Sequence, residues 1–472
     1  MHIRALFRVA SVALAFTAVQ LAAQTRDLPT SKQLIGPIPG HPQRLNSLPM
    51  SMAVSPDGRY VVTVNAGYGT FESNYEQSLA VLDTRTGLLA DFPDTRTLAR
   101  TARQTLYSGL AFSRDGSHLY ASMGSITDPL GTGKDATGSG IAVYRFASGK
   151  IEPERFLHLP IQQLAPGRKT RLIGQKEGDK GVPFPAAIAV VGSAGAEKLL
   201  VADNLSDDVL LMDAATGAIE HRFDMAESDA VPSTYPGALA LSQDGHRAFV
   251  ALWNASEIVE LNLTSNSIGR KLDLLKPSSP IAPGTHPCAF ALAPDGKTLY
   301  VALANRDAVA AVNVGQGRFQ LKGYFDTRLP GQSYFGAEPV AVATSGDGSR
   351  LYVANAASDA IAVIDTRKLT AKAAREGMVE PDGFVPTDWM PFSMAFLSAR
   401  KGGHLYVATR KGRERGRITF RSRRRRRRRP ETTSQRAPIS PHCCMVRWRR
   451  SMPQRLRRTC RNGRRWCWSR TA

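Results

Sequence analysis

Ala341-Val342-Ala343-Thr344-Ser345-Gly346-Asp347-Gly348-Ser349-Arg350-Leu351-Tyr352-Val353-Ala354-Asn355, followed by Asp359-Ala360-Ile361-Ala362-Val363-Ile364-Asp365, reads as three short strands. Two runs of alternating small and β-branched or aromatic residues flank Gly346-Asp347-Gly348, where glycine supplies the positive φ of a tight hairpin turn. A second polar turn, Asn355 to Ser358, leads into the third run. The same wording recurs along the chain. Clear copies are Ala53-Val54-Ser55-Pro56-Asp57-Gly58 with Leu79 to Asp83, Leu110 to Gly116 with Leu119-Tyr120-Ala121, Leu239 to Gly245 with Ala248 to Ala251, and Phe290 to Gly296 with Leu299 to Ala302. Weaker copies lie at Ala187 to Val190 with Leu199 to Asn204 and Val209 to Asp213, and at Met394 to Phe396 with Leu405 to Ala408.

Seven copies result, and between Asp244, Asp295 and Asp347 they are spaced by 51 and 52 residues. That period suits four short strands and their turns. Strand units of this length with almost no helical pattern predict an all-β, seven-bladed β-propeller. The Leu-Tyr-Val-Ala-Asn wording after a Pro-Asp-Gly or Gly-Asp-Gly turn resembles the YVTN-type, WD40-like β-propeller repeat over residues 45–410. The resemblance implies architecture; propellers host binding modules and enzymes alike. Some exported members of the family carry a phosphoesterase domain after the propeller. The resemblance therefore leaves open, as one alternative, that this chain is the non-catalytic remnant of such a fusion.

The predicted organisation is a signal peptide at 1–23, an N-terminal segment at 24–44 that supplies a ring-closing strand, the propeller at 45–410, and a basic tail at 411–472. Arg4 and Arg8 precede the apolar run Val9 to Phe16, and Leu21-Ala22-Ala23 offers a small-residue cleavage site before Gln24. This is the layout of a secretory leader, too short for a stable membrane span, and it predicts a periplasmic or extracellular protein. Up to residue 410 the only cysteine is Cys288, so an internal disulfide is excluded there and a buried, inert thiol is expected.

The formal charge of +22 points at first to a nucleic-acid or anionic partner. Its distribution argues otherwise. Residues 413–472 hold 22 arginines against Glu414 and Glu431, four of the five cysteines and three of the five tryptophans, so nearly all the charge sits in the tail. A functional arginine arm, a solvated extension and a shifted reading frame compete as explanations, and the genetic code favours the last. Consecutive CGN arginine codons read from the third base become NCG, which encodes Ala, Pro, Ser or Thr. Shifted the same way, Cys443 to Arg449 permits a Leu-Leu-His-Gly-Ser-Leu-Ala stretch close to Ser78 to Leu82. With a slip near Arg413 to Arg415, the tail is expected to be disordered and the last blade incomplete, its edge unpaired.

No chemistry-bearing motif survives inspection. Gly131-Thr132-Gly133-Lys134 lacks the upstream glycine of a phosphate loop, Asp128 standing there, and has Asp135 where a hydroxyl is needed. Asp203, Asp207 and Asp208 lack the alternation of a calcium loop and are read as a polar turn. The histidines show no metal-ligand spacing, no haem attachment motif occurs, and serines such as Ser55, Ser113 and Ser242 fall in repeat turns. Insertions at 124–140, 158–183 and 276–287 mark binding loops or plain solvated ones, and His286, Trp253 and Trp389 are placed for either packing or a central funnel. The expectation is therefore no catalytic, cofactor-binding or metal residue, and a binding or scaffold module for a protein, peptide or glycan, with no nucleic acid and no membrane as partner. The alternative is an exported propeller enzyme of the lactonase-like or quinone/haem-associated kind, which requires polar residues converging at the ring centre.

Overall fold

The computed structural model describes residues 25–27, 33–35, 40, 43–46, 48–67, 76–97, 103–171, 178–274, 284–315, 317–399, 402–410 and 443–449. The leader at 1–23 and most of the basic tail lie outside the described residues, and so does most of the 276–287 insertion. Within them the backbone forms seven four-stranded antiparallel sheets. Six are built from consecutive strands; blade 1, for example, runs Pro49–Val54, Tyr60–Asn65, Ser78–Asp83 and Leu89–Pro93. Blades 2 to 6 follow within 105–158, 185–224, 236–273, 287–326 and 339–386.

In blades 1, 2, 4 and 6 the first hairpin is the turn that the repeat encodes. The Ser55 hydroxyl donates to Asp57 at 2.5 Å and accepts the Tyr60 N–H at 2.9 Å, and Ser113 with Asp115, Ser242 with Asp244, and Ser345 with Asp347 repeat the arrangement. Gly58, Gly116, Gly245 and Gly348 take the positive φ that the turn requires, between 68° and 74°. Serine and aspartate here satisfy the backbone of a hairpin. They are builders of the fold.

The second and third strands are mostly apolar because they are buried on both faces, as in Leu199-Leu200-Val201-Ala202. Side chains alternate between neighbours. Leu199 and Val201 pack with Tyr120, Ile141 and Val143 of blade 2, while Leu200 and Ala202 pack with Ala248, Val250 and Leu252 of blade 4. Seven apolar clusters result, one at each blade junction. The last closes the ring, with Leu45, Tyr406 and Ala408 set against Val61, Ala80 and Leu82.

Blade 7 departs from the expectation. Its inner strands Pro391–Ala399 and Gly402–Thr409 are continued by Cys443–Arg449, which pairs Val446 with Val407 and Trp448 with Leu405. Gln43–Leu45 then adds the outer strand, Arg44 opposite Cys444. The blade is thus complete and its edge covered, against the expected gap, and residues 443–449 belong to the sheet. The physical reason lies in the encoded residues: Cys443-Cys444-Met445-Val446 and Trp448 are good strand formers without any frame correction.

Phe325 is wholly buried at the junction of blades 5 and 6, among Tyr300, Val353, Val379 and Phe384. Phe325→Ala is expected to cost about 3–5 kcal/mol of unfolding free energy. Equilibrium denaturation measures it, and a loss under about 1 kcal/mol would contradict the packing described.

Candidate functional site

A four-stranded blade has two kinds of end. The inner hairpin turns and the outer hairpin turns lie on one face of the ring, the turn face. The connections between second and third strands, and from each blade to the next, lie on the other, the loop face. The described parts of the 124–140 and 158–183 insertions, and residues 284–287, therefore lie on the loop face, where the central channel opens into a funnel of about 980 Å³. Of the exposed large hydrophobic side chains among the described residues, Ile126, Leu130, Trp253, Tyr334 and Phe335 stand on this face, and only Leu88 and Ile268 on the other.

The rim is positioned by a clasp repeated between blades. Asp207, Asp307 and Asp359 each sit at φ 52° just before a third strand, and their carboxylates reach into the next blade. Asp307 accepts the N–H groups of Gly336, Ala337 and Glu338 at 2.7, 2.9 and 3.1 Å. Asp207 accepts those of Ser233, Thr234 and Tyr235, and Asp359 that of Met390 at 2.9 Å. Ser256 takes the same role with Thr285 at 2.9 Å. The clasped segment ends in a residue held at φ 53–54° directly before the proline that opens the next inner strand: Tyr235, His286, Glu338 and Met390. Left-handed backbone is unfavourable for such side chains, so the clasp is what holds them on the rim.

The resulting surface combines aromatic and ionisable groups. The Trp253 and His286 rings stack at 3.8 Å and 22°, with Tyr235 edge-on to the indole at 6.2 Å. Burial pushes the His286 imidazole below its ordinary pKa, so it is neutral at neutral pH. Burial raises the Glu338 carboxyl, an effect that Arg410 opposes, and Tyr107 shows the same pair of influences. Arg410 lies over the Phe392 ring, with a guanidinium N–H on the Met50 sulfur at 3.0 Å. A cation from blade 7 thus acts on groups from blades 2 and 6 at once. Deeper in the funnel the Cys288 thiol faces the Pro339 carbonyl oxygen at 3.4 Å, its pKa pushed up to about 12 by burial, which leaves it an inert thiol.

The structure sorts the residues singled out in the sequence. His286 and Trp253 line the funnel, whereas Trp389 does not. Asp128 accepts the N–H groups of Thr132 and Gly133 at 2.9 and 2.8 Å, so the amides a phosphate would need are already engaged. Asp207 is a clasp. Asp203 accepts from the Phe184 amide and Asp208 pairs with Arg222 at 2.5 Å; burial raises both carboxyls, Asp208 to about 6. In the 158–183 insertion, Arg168 pairs with Asp224 at 3.3 Å, Arg171 donates to the Pro232 carbonyl at 3.3 Å, and Lys169 and Thr170 pair with Ala230 and Val231. Among the described residues no group of three His, Cys, Asp or Glu side chains is placed to hold a metal, and no helix is long and apolar enough to cross a membrane. Tyr235, Glu338, Phe335 and Arg410 were not singled out. The signal for the first two was the residue before the inner-strand proline, in register with His286.

No family model and no curated protein matches the chain. Solved structures do. The periplasmic gluconolactonase of Pseudomonas aeruginosa superposes with a TM-score of 0.54 at 17% identity, over 74% of this chain and 88% of that one. A Bacteroides fragilis structure assigned provisionally as a 6-phosphogluconolactonase gives 0.53 at 16%, over 78% and 91%. The hydrazine synthase of Kuenenia stuttgartiensis gives 0.52 at 14%, over 79% and 96%. The fold is a β-propeller. At these identities the likeness reaches no further than the fold, and membership of the YVTN-type repeat family rests on the sequence wording alone.

Two expected outcomes follow from this geometry. Asp307→Asn replaces an acceptor of three N–H groups by an amide and should cost about 1.5–3 kcal/mol. Hydrogen exchange at Gly336 to Glu338 should accelerate with it, and unchanged exchange there would refute the clasp. On the same face Glu257, beside Glu227, has its carboxyl raised to about 7, first by burial and then by that neighbour. A folded pKa above the unfolded value of about 4.3 means that the associated stability is present at low pH and lost as pH rises from about 4 to about 7. Glu257→Gln should therefore raise the melting temperature relative to the parent at about pH 8 and change it little at about pH 4. Thermal melts at the two pH values decide, and equal shifts at both would discard the coupling.

Proposed function

We propose that this chain is an exported binding module that holds a saccharide-like ligand on its loop face, with the ligand's polar end in the funnel. The observation that carries the reading is the Trp253–His286 stack at the mouth, flanked by Tyr235 and Phe335. A flat aromatic surface suits the apolar face of a sugar ring, and Arg410 and Glu338 beyond it suit hydroxyl or carboxylate groups. Of the three partner classes expected, the concave and partly charged funnel favours glycan over protein or peptide. Export follows the leader-like 1–23 segment and is in keeping with the periplasmic gluconolactonase among the similar structures.

Titration calorimetry with a panel of oligosaccharides and aldonic acids tests the proposal. At least one should bind saturably, and Trp253→Ala should weaken it by about tenfold or more. A panel without binding, or affinity unaffected by the variant, would overturn it.

One feature favours hydrolysis as a second reading. A neutral His286 imidazole facing the funnel is able to take a proton from water as the oxygen attacks a lactone carbonyl, with Arg410 stabilising the oxyanion; the ring C–O bond then breaks as His286 returns the proton to the departing ring oxygen, giving the hydroxy acid. A pH-stat assay with a δ-lactone of a sugar acid separates the two readings. Turnover above the spontaneous rate that His286→Gln abolishes would make the chain an enzyme; binding without turnover leaves it a module.

A further inference from the structure

On the turn face, five blades pair a cation with an acid of the same blade, although among the described residues Arg85, Arg114 and Lys150 there stand outside any ion pair. Arg59 meets Asp83 at 3.1 Å in blade 1; His118 and Arg145 meet Glu154 at 3.3 and 3.6 Å in blade 2; Lys198 meets Glu220 at 2.5 Å in blade 3. Arg247 and Arg270 share Glu260 at 3.1 and 3.0 Å in blade 4, and Arg350 meets Asp382 at 2.7 Å in blade 6, where Lys368 joins them. Blade 5 breaks the pattern. At the register where blades 4 and 6 carry Arg247 and Arg350, it has Thr298, opposite Asn313. Around that position Lys297, Arg318 and Lys322 line one groove of about 390 Å³. Among the described residues none of these three cations has a carboxylate within ion-pair distance.

The rest of the lining is suited to an acceptor-rich guest. Lys322 donates to the Thr298 hydroxyl at 3.2 Å, which holds its ammonium over the groove. Asp295, the one acid of the lining, takes the Lys297 amide of its own turn at 2.9 Å. Gly315 keeps the floor open, because a Cβ there would stand 3.3 Å from the Asn313 oxygen and 3.7 Å from the Lys297 stem. Three cations gathered around one acid, with no ion pair among them, repel one another. A multiply charged anion relieves that repulsion, and a single carboxylate does so only in part.

We propose that this groove binds an oxyanion of the phosphate or sulfate type, on the face opposite the funnel and independently of it. The probe is inorganic phosphate, titrated calorimetrically into the full chain at constant ionic strength. Lys297→Glu/Lys322→Glu reverses the charge. Gly315→Val, at a position without positive φ, fills the floor and leaves the charge alone. Circular dichroism confirms that both variants retain the sheet. Saturable one-site binding in the parent, weakened by about tenfold or more in each variant, is the expected result. The arginines of 413–472 are common to all three chains, so the difference isolates the groove. Cosedimentation with phosphatidylglycerol vesicles, competed by phosphate, would identify a lipid headgroup as the source of the anion; phosphate binding without it would identify a soluble phosphate ester. No saturable binding, or equal affinity in all three chains, would overturn the site. Saccharide binding in the funnel should be unchanged in both variants, so either proposal can fail without the other.

Discussion

A carboxylate that leaves its own blade to accept the backbone N–H groups opening the next is the constraint on which the ring geometry depends. Apolar contact between blades is non-directional and tolerates sliding. The three N–H groups converging on Asp307 do not, because each has a fixed direction and meets a carboxylate that is itself buried and costly to leave unpaired. Asp207, Ser256 and Asp359 repeat the fixture at neighbouring junctions. Packing drives the blades together, and the clasps set how they stand.

The same fixture explains why the rim is functional ground. A side chain forced into left-handed backbone before a proline has few ways to relax, so Tyr235, His286 and Glu338 project from stiff positions. Stiffness at a rim is preorganisation: a ligand that meets the Trp253–His286 stack need not pay for ordering it. The deeper wall contributes little chemistry, with Ala186, Gly237 and Val340 at equivalent places along the inner strands and Cys288 inert among them.

Architecture was legible because it is written repeatedly. Asp57-Gly58, Asp115-Gly116, Asp244-Gly245 and Asp347-Gly348 all mark one turn, and any single copy would have been ambiguous. Serines of those turns were assigned to the fold from the repeat alone, and their hydrogen bonds to the adjacent aspartates agree. The rim residues were illegible for the complementary reason. Tyr235, His286, Glu338 and Met390 occupy one register yet differ in chemistry, so pattern-seeking discards them as variable. Arg410 belongs to no motif, and its influence on Tyr107 and Glu338 exists only once the ring closes. Closure itself was half legible. A strand from the N-terminal segment was anticipated, but Cys443–Arg449 was read as giving a blade strand only in a shifted frame, whereas the encoded residues pair with Gly402–Thr409 as they stand.

The division of labour between the two faces follows from strand parity. Four antiparallel strands return the chain to the side from which it entered, so the connections between blades lie on one face, and the other receives the hairpins within a blade, tight except for the helical 366–382 connection of blade 6. Hairpins fixed by Ser-x-Asp-Gly have little freedom to grow, so beside them blades differ chiefly in their charges. A repeat that pairs a cation with an acid of its own blade in blades 1, 2, 3, 4 and 6 provides a comparison for blade 5, where Thr298 stands at the register of Arg247 and Arg350 and three cations outside any ion pair among the described residues line one groove. Had the uncompensated charge fallen on the loop face, among unequal insertions, no internal reference would exist to distinguish a binding groove from an ordinary solvated surface.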